Sequence, residues 1–310
     1  MKKEVVLVVG SANMDLVVQC NRFPLPGETI FGNKFHMFPG GKGANQAVSC
    51  ARLGVKTYFL GKMGEDDFGT RLINTMQNDG VDLSLLLRDP LESTGTALIT
   101  VDSSGQNNII VMSGSNMKLN SKDIRSKKNK FSEVQIVLTQ LEVPMETVVE
   151  TARLAKENDA ILILNPAPAC EIPEEIYPLV DYLTPNETEL QMLSNMMVSD
   201  QNSAEKAAKV LLDRGVQNII ITLGAKGALL VNKFYTRSFP AQKVVVVDTT
   251  AAGDAFNGAL AYSLAKGKSL NDAILFSNKV ASISVTRLGA QSSMPTLSEI
   301  WPEQKIQEER

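Results

Sequence analysis

Short β-branched runs alternate along most of this chain with longer amphipathic stretches. Val5–Val9 is apolar throughout and stops at Gly10, which predicts a buried strand running into a turn. After Ser11-Ala12-Asn13-Met14-Asp15, alternation resumes through Leu16–Cys20. Pro24, Pro26 and Gly27 break the chain, and a further extended segment is expected over Thr29–Phe38, stopped by Pro39. Gly40-Gly41-Lys42-Gly43 then opens a helix over Ala44–Leu53, closed by Gly54. Lys56–Met63 reads as a strand, Asp66–Asp79 as a helix ending at Gly80. Thr94–Asp102 and Asn107–Met112, joined by Ser103-Ser104-Gly105-Gln106, have the pattern of a β-hairpin. From there strands are expected at Val134–Leu138, Ile161–Leu164, Tyr182–Pro185 and Asn218–Thr222. Helices are expected at Met145–Asn158, Glu187–Ser194, Ser203–Arg214 and from about Leu270 to Thr286. Val244–Val247 reads as another buried strand. It leads into a helix with Ala255, Phe256, Ala259, Leu260 and Leu264 on one face.

Strands alternating with helices imply a mostly parallel sheet with right-handed crossovers, an α/β fold. The segments 15–20, 29–38 and 94–112 interrupt that alternation and suggest a small separate sheet, a lid over the main domain. No composition break marks a linker and no internal repeat is visible, so residues 1–310 are expected to form one domain. Only the charged tail Glu303–Arg310 looks frayed.

Composition narrows the chemistry by exclusion. The 310 residues carry 31 basic and 34 acidic side chains, mixed throughout, for a formal net charge of −3. Without a basic stripe, nucleic acid and anionic membrane are poor partners. Cys20, Cys50 and Cys170 lack CxxC spacing and fit thiols in a reducing compartment better than disulfides or a zinc site. A single histidine, His36, argues against His-rich metal sites and a Ser-His-Asp hydrolase, and suits lid packing or the surface. Trp301 reads as a packing anchor, and Met192, Met196 and Met197 as core. Met1-Lys2-Lys3 runs directly into Glu4–Val9, too short and acid-bearing for a secretory signal. No apolar run approaches ~20 residues, so a soluble, cytoplasmic protein is expected. A dinucleotide oxidoreductase is disfavoured because no GxGxxG follows the first strand.

The candidate chemistry centres on Val247–Gly258. Small residues at a helix N-terminus expose orphan N–H groups and about half a positive charge, which suits a phosphate. Two carboxylates, Asp248 and Asp254, lie beside that anion site, where an acid is unfavourable unless it holds a cation or receives a proton. Asp254 is the candidate general base, with N–H groups around Ala252-Gly253 stabilising charge on a transferred phosphoryl group. An Asp at its ordinary pKa of ~3.9 is a weak base, sufficient where the transition state is loose.

Other polar clusters follow predicted strands, where open α/β sheets bind ligands. Asn13 and Asp15 suit either simple turn chemistry or the vicinal hydroxyls of a sugar. Gly40–Asn45 is not a Walker motif, since Gly43 stands where a hydroxyl residue would follow Lys42. It is either a plain helix start or a backbone that wraps a small polar ligand with Lys42 and Asn45. Glu142 is a sugar acceptor or a solvated charge. Asn186 and Glu189 are a helix cap, or oxygen ligands for Mg²⁺ through water. Thr222-Leu223-Gly224-Ala225-Lys226-Gly227 is a tight turn, or a close backbone approach to a nucleotide with Lys226 on a phosphate.

Together Gly10–Asp15, Gly40–Ala47, Asn165-Pro166-Ala167-Pro168, Asn186–Glu189 and Asp248–Asp254, in this order, resemble the ribokinase family of sugar kinases, the PfkB type, over almost the whole chain. The resemblance implies a three-layer α/β domain with a β lid that is also a homodimer interface. It implies MgATP-dependent phosphorylation of the O5 hydroxyl of D-ribose. On it, Asn13, Asp15, Gly41, Lys42, Asn45 and Glu142 are ribose contacts and Asp254 the base, with Ala252 and Gly253 in the anion hole. Asn186, Thr222, Gly224, Lys226, Gly227, Gly253 and Asn278 are nucleotide contacts, and Glu189 helps position Mg²⁺. A monovalent cation, usually K⁺, is implied at Asp248, Thr250, Ser284, Arg287, Gly289 and Ser293, partly through backbone carbonyls. Ala251-Ala252 stands where many members of the wider family have Gly-Ala, which favours ribose over fructose or a nucleoside. Deoxyribose-specific members tend to carry Met where Asn13 stands.

Overall fold

In the computed structural model, which describes residues 4–301, every residue of the first apolar run is buried. This run is β1 (Val5–Val9). Val5, Leu7 and Val9 point into one core and Val6 and Val8 into another, so β1 lies at the centre of a sheet covered on both faces. The sheet has eight strands in the order β14-β13-β12-β11-β10-β9-β1-β4. They are β4 (Lys56–Leu60), β9 (Ile136–Thr139), β10 (Ile161–Leu164), β11 (Tyr182–Leu183), β12 (Asn218–Thr222), β13 (Ala228–Asn232) and β14 (Thr236–Phe239). From β4 to β12 all pairs are parallel; β13 and β14 close the far edge as an antiparallel hairpin.

One face is covered by α3 (Ser121–Ser126), α4 (Lys128–Phe131), α5 (Met145–Glu157), α6 (Glu187–Ser194) and α7 (Gln201–Asp213). The other is covered by α1 (Lys42–Arg52), α2 (Asp67–Asn78), α8 (Ala252–Ala265) and α9 (Leu270–Ser284), with α10 (Leu297–Ile300) packed on α9. Helix α8 is buried almost all round, because α1 and α9 flank it and the sheet lies beneath.

A second sheet, in the order β3-β2-β7-β8, is built from β2 (Asn13–Gln19), β3 (Lys34–Gly40), β7 (Gly95–Val101) and β8 (Asn107–Met112). It springs directly from the end of β1. Asn13 pairs with Gly40, and Asp15 with Phe38. A small parallel pair, β5 (Lys62–Gly64) and β6 (Leu87–Asp89), completes the strands among the described residues. Because the central strands run parallel, their C-terminal ends deliver Ser11, Gln140, Asn165 and Thr184 to one edge of the main sheet.

Several expectations need correction. Val244–Val247 is not a buried strand: it is exposed and outside both sheets, with Val245 at 84% exposure. The hairpin β13–β14, absent from the sequence reading, takes the sheet edge instead, and a β-branched run by itself does not say whether a partner strand exists. The extended segment expected from Thr29 becomes a strand only at Lys34. The strand expected over Lys56–Met63 is divided at Gly61. Met192 and Met197 are exposed, since α6 turns Leu190 and Leu193 inward; only Met196 packs on the core. Trp301 is half exposed and lies under the Lys279 ammonium, 3.5 Å from its ring centre. His36 is exposed on β3 and stacks on Phe38. The tail Glu303–Arg310 lies outside the described residues.

Helix α1 approaches the end of β1 closely only because residue 43 lacks a side chain. A Cβ there would stand 2.6 Å from the Ser11 nitrogen and 2.7 Å from the Gly10 carbonyl carbon. Gly43→Ala is expected to lower the unfolding free energy by about 1–3 kcal/mol, read from urea melts. An unchanged midpoint would show that the contact yields without cost.

Candidate active site

Helix α1 starts at Gly41 with no side-chain cap of its own. The missing acceptor comes from Glu142, just past β9, whose Oε2 accepts the Lys42 N–H at 3.1 Å. The same oxygen accepts the Ser11 hydroxyl at 2.5 Å, and the Ser11 carbonyl accepts the Ala44 N–H. Glu142 is therefore half a structural residue, and its Oε1 is the oxygen left for a ligand.

Asp254, in the first turn of α8, is buried against α1. Asn45 Nδ2 donates to its Oδ2 and Gln46 Nε2 to its Oδ1, both at 2.9 Å. Gln46 Nε2 also reaches Asn165 Oδ1, and its Oε1 accepts from Gln140 Nε2 at 2.6 Å. Asn165 Nδ2 continues to the Thr184 carbonyl, Thr184 Oγ1 to Asn257 Oδ1, and Asn257 Nδ2 to the Gly253 carbonyl. Strand ends β9, β10 and β11 thus brace both sides of the α8 start. Asn45 Oδ1 is buried and unpaired, an acceptor waiting for a donor beside Asp254.

The electrostatics follow from burying four carboxylates around one ammonium. Burial raises the Asp254 pKa, opposed by Lys42, Asn45 and Gln46. Asp254 is thus a stronger base than an ordinary Asp, which corrects the expectation of a near-normal value. Asp15 is pushed up to about 7, first by burial and then by Glu142 and Asp254. Burial also raises Glu189. Burial works against the Lys42 ammonium, yet Asp254, Glu142, Glu189 and Asp15 outweigh it and raise its pKa. Excess negative charge at this spot suits a cation.

The N-terminus of α8 opens on backbone N–H groups without a protein partner among the described residues. Ala251 caps it in the left-handed conformation, φ 61°, with no side-chain hydrogen bond. That conformation favours glycine, so an alanine here is strained. The Ala252 N–H turns to the Thr249 carbonyl at 3.2 Å. The open donors are consequently on Gly253 and Asp254, one residue further along than the pair read from the sequence. A Cβ on Gly253 would meet nothing, so the fold itself leaves that space empty.

Asn186 caps α6 reciprocally with Glu189: Glu189 N–H donates to Asn186 Oδ1, and Asn186 N–H and Nδ2 donate to the two Glu189 oxygens. Both residues therefore have a capping role, whatever else they hold. Asn186 forms a bridge with Thr222, and Thr222–Gly227 makes the tight turn between β12 and β13 with Lys226 exposed. Gly227 packs against the Phe239 carbonyl, which also accepts Asn278 Nδ2 at 2.9 Å. Asn278 borders a cavity of about 660 Å³ with Leu275 and Phe276.

Behind the α8 start, Asp248 accepts the N–H groups of Thr250 and Gly289 at 2.8 and 2.9 Å. Val247 and Asp248 donate to the Val285 carbonyl, and Ser284 and Ser293 share a buried hydrogen bond. Asp248, Thr250 and Gly289 are thus bonded to one another, and Ser284 to Ser293. The Arg287 side chain pairs with Glu299, which leaves only its backbone available.

The structure links Lys42, Asn45, Glu142 and Asp254 around one spot by hydrogen bonds and charge, and adds Asn116, Gln140 and Thr184, which the sequence did not single out, together with Ser11 and Asn257. Gln46 and Asn165 stood inside quoted motifs without a role. Their roles depend on partners from distant strands, which spacing alone does not reveal.

A sequence model of the pfkB family carbohydrate kinases matches residues 3–297. The chain is 41% identical to the ribokinase of Haemophilus influenzae over 297 residues, 96% of this chain and 97% of that one. A crystal structure of ribokinase from Thermotoga maritima superposes with a TM-score of 0.89 at 45% identity, covering 97% of this chain and 99% of that one. The structure of Arabidopsis thaliana ribokinase complexed with ribose and ATP gives 0.91 at 34% identity, covering 97% and 98%.

The Asp15 pKa has a consequence for stability. The unfolded chain releases this proton near 3.8, the folded chain only near 7, so folding is increasingly disfavoured as pH rises between them. Asp15→Asn removes the penalty. Its gain in Tm over wild type, measured without sugar, is expected to be larger at about pH 8 than at about pH 4. An equal gain at both would mean that Asp15 titrates normally.

Proposed function

The chain belongs to the pfkB family of carbohydrate kinases, and we propose that it is an ATP-dependent ribokinase, a phosphotransferase with an alcohol acceptor. It transfers the γ-phosphoryl group of MgATP to the O5 hydroxyl of D-ribose, giving D-ribose 5-phosphate. The observation that carries this reading is the buried Asp254 carboxylate, adjoining the open Gly253 and Asp254 N–H groups and the unpaired Asn45 Oδ1. A base, an anion hole and a hydroxyl acceptor in one place are what transfer to an alcohol requires.

Asn13, Asp15, Gly41, Lys42, Asn45 and Glu142 hold the sugar hydroxyls and place O5 against Asp254. Asp254 takes the O5 proton as O5 bonds to the γ-phosphorus and the bond to the bridging oxygen breaks, releasing ADP. Negative charge on the transferring group is met by the Gly253 and Asp254 N–H groups and the α8 dipole. Lys42, Asn45 and Gln46 oppose the rise that burial imposes on the Asp254 pKa and so favour its carboxylate form. Asn186, Thr222, Gly224, Lys226, Gly227 and Asn278 line the nucleotide side.

Among the described residues, no group of three or more His, Cys, Asp or Glu is arranged to hold a metal. Mg²⁺ fits as an ion carried mainly on nucleotide phosphates and water, near Glu189 and the negative sugar site. When bound it neutralises phosphate charge. A K⁺-like ion fits the oxygens of Asp248, Thr250, Ser284 and Ser293 with backbone from Arg287 and Gly289, and would stiffen the loop behind the anion hole. No helix among the described residues is long and apolar enough to cross a membrane; we place the enzyme in the cytoplasm, where its nucleotide substrate is.

The second sheet covers the sugar with β2 and turns a second face outward. All of β8 is exposed, including Ile109, Ile110 and Val111, and so is Phe35 on β3. Such an apolar edge suits a second copy of this chain.

Asp254→Asn is expected to lower kcat by about 10²–10⁴ while ribose still binds, in a coupled assay with calorimetric binding alongside. Turnover equal to wild type removes Asp254 from the mechanism. Across a sugar panel, kcat/KM is expected to be highest for ribose; a higher value for fructose or a nucleoside would reassign the substrate. Light scattering is expected to give the mass of a dimer, and monomer at all concentrations would exclude the lid interface.

A further inference from the structure

Asn116 lies behind Asn13, is only 2% exposed, and appears in none of the motifs above. Both ends of its amide are fixed by one stretch of backbone. Oδ1 accepts the Ala12 N–H at 2.9 Å, and Nδ2 donates to the Ala12 carbonyl at 3.2 Å. A flipped amide would set NH₂ against N–H and carbonyl against carbonyl, so one orientation is allowed. The same Nδ2 donates to Asn13 Oδ1 at 2.7 Å.

Asn13 is consequently also held one way round, its carbonyl toward Asn116 and its NH₂ away. That NH₂ has no protein partner among the described residues, although Asn13 is 6% exposed. Asn13 shares a face of β2 with Asp15, which couples electrostatically to Glu142 and Asp254. Gly95 makes room for the pair: a Cβ there would lie 2.1 Å from Asn13 Oδ1 and 2.2 Å from Asn116 Nδ2.

We propose that Asn116 is a positioning residue for sugar selectivity, fixing Asn13 as a pure hydrogen-bond donor so that the site demands an acceptor oxygen, the sugar 2-hydroxyl. This rests on the ribose-kinase reading above. An NH₂ held against a CH₂ loses water and gains no acceptor, the mismatch by which hydrogen-bonding sites reject analogues lacking a hydroxyl. An Asn13 free to turn would escape that penalty.

The test compares kcat and KM for D-ribose, 2-deoxy-D-ribose and 2-deoxy-2-fluoro-D-ribose in wild type, Asn116→Ala and Asn116→Asp. Fluorine accepts weakly and cannot donate, so wild type is expected to rank ribose first, the fluoro sugar second and the deoxy sugar last. In Asn116→Ala the ribose preference over 2-deoxyribose falls by about tenfold, one ordinary hydrogen bond. The loss lies in the KM for ribose, while kcat and the KM for ATP hold. In Asn116→Asp the carboxylate still accepts the Ala12 N–H but draws the Asn13 NH₂ backward. The Asn13 carbonyl then faces the sugar, and the fluoro sugar drops below the deoxy sugar. Sugar ratios unchanged in either folded variant, or a fluoro sugar ranked last by wild type, overturn the proposal and leave the kinase reading standing. Should Asn116→Ala fail to fold, the order in Asn116→Asp decides. Wild type inactive on ribose, or more active on the deoxy sugar, overturns the kinase reading and this proposal with it.

Discussion

A carboxylate buried at the start of a helix is the constraint on which this structure depends. Asp254 has almost no contact with water, and a buried charge left without partners costs several kcal/mol. The helix dipole and first-turn N–H groups of α8 offset part of that cost. Asn45, Gln46 and the Lys42 charge offset more, and all three come from the first turns of α1. Helix α1 must therefore start beside α8, where Gly258 leaves room for Gln46 and Ser49, while glycine at 41 and 43 seats the same start against residues 10–13 and Glu142 caps it. The chain Gln140–Gln46–Asn165 then ties that capped helix to the ends of the central strands.

The same constraint divides the site in two. On the α1 side the open polar atoms among the described residues include the Asn13 NH₂, Asn45 Oδ1 and Glu142 Oε1, donor and acceptors that suit neutral hydroxyls. On the α8 side the open groups are backbone N–H donors above the left-handed Ala251, matched to an oxyanion. Asp254 stands at the boundary with access to both. The loop bearing Asp248 is pinned by Gly289, Thr250 and Val285, so the strained Ala251 cap is held from behind instead of relaxing into a regular turn.

Much of this was legible in the sequence, and what was not has physical causes. Runs such as Val5–Val9 and Ile161–Leu164 are apolar on every residue because parallel strands are covered on both faces, and their boundaries were read almost to the residue. The candidate sugar and anion residues could be named from the sequence because each lies in a compact local motif. Val244–Val247 misled because β-branched propensity describes fit to a sheet and not the presence of one. The hairpin β13–β14, which occupies the edge, was lost among the turn residues Asn232–Tyr235. Asn116 and Gln140 gave no signal: their roles exist only through Ala12, Asn13 and Gln46, about a hundred residues away in sequence. Arg287 shows the converse, a position in the implied cation set whose side chain is taken by Glu299.

In the proposed reaction Asp254 is the base and the α8 start is the anion hole of a single in-line transfer. A crystal structure with D-ribose and a non-hydrolysable ATP analogue tests it most directly. O5 is expected within about 3.2 Å of an Asp254 oxygen, with the terminal phosphate on the Gly253 and Asp254 N–H groups. A primary hydroxyl directed away from Asp254, or a terminal phosphate outside that helix start, would contradict it.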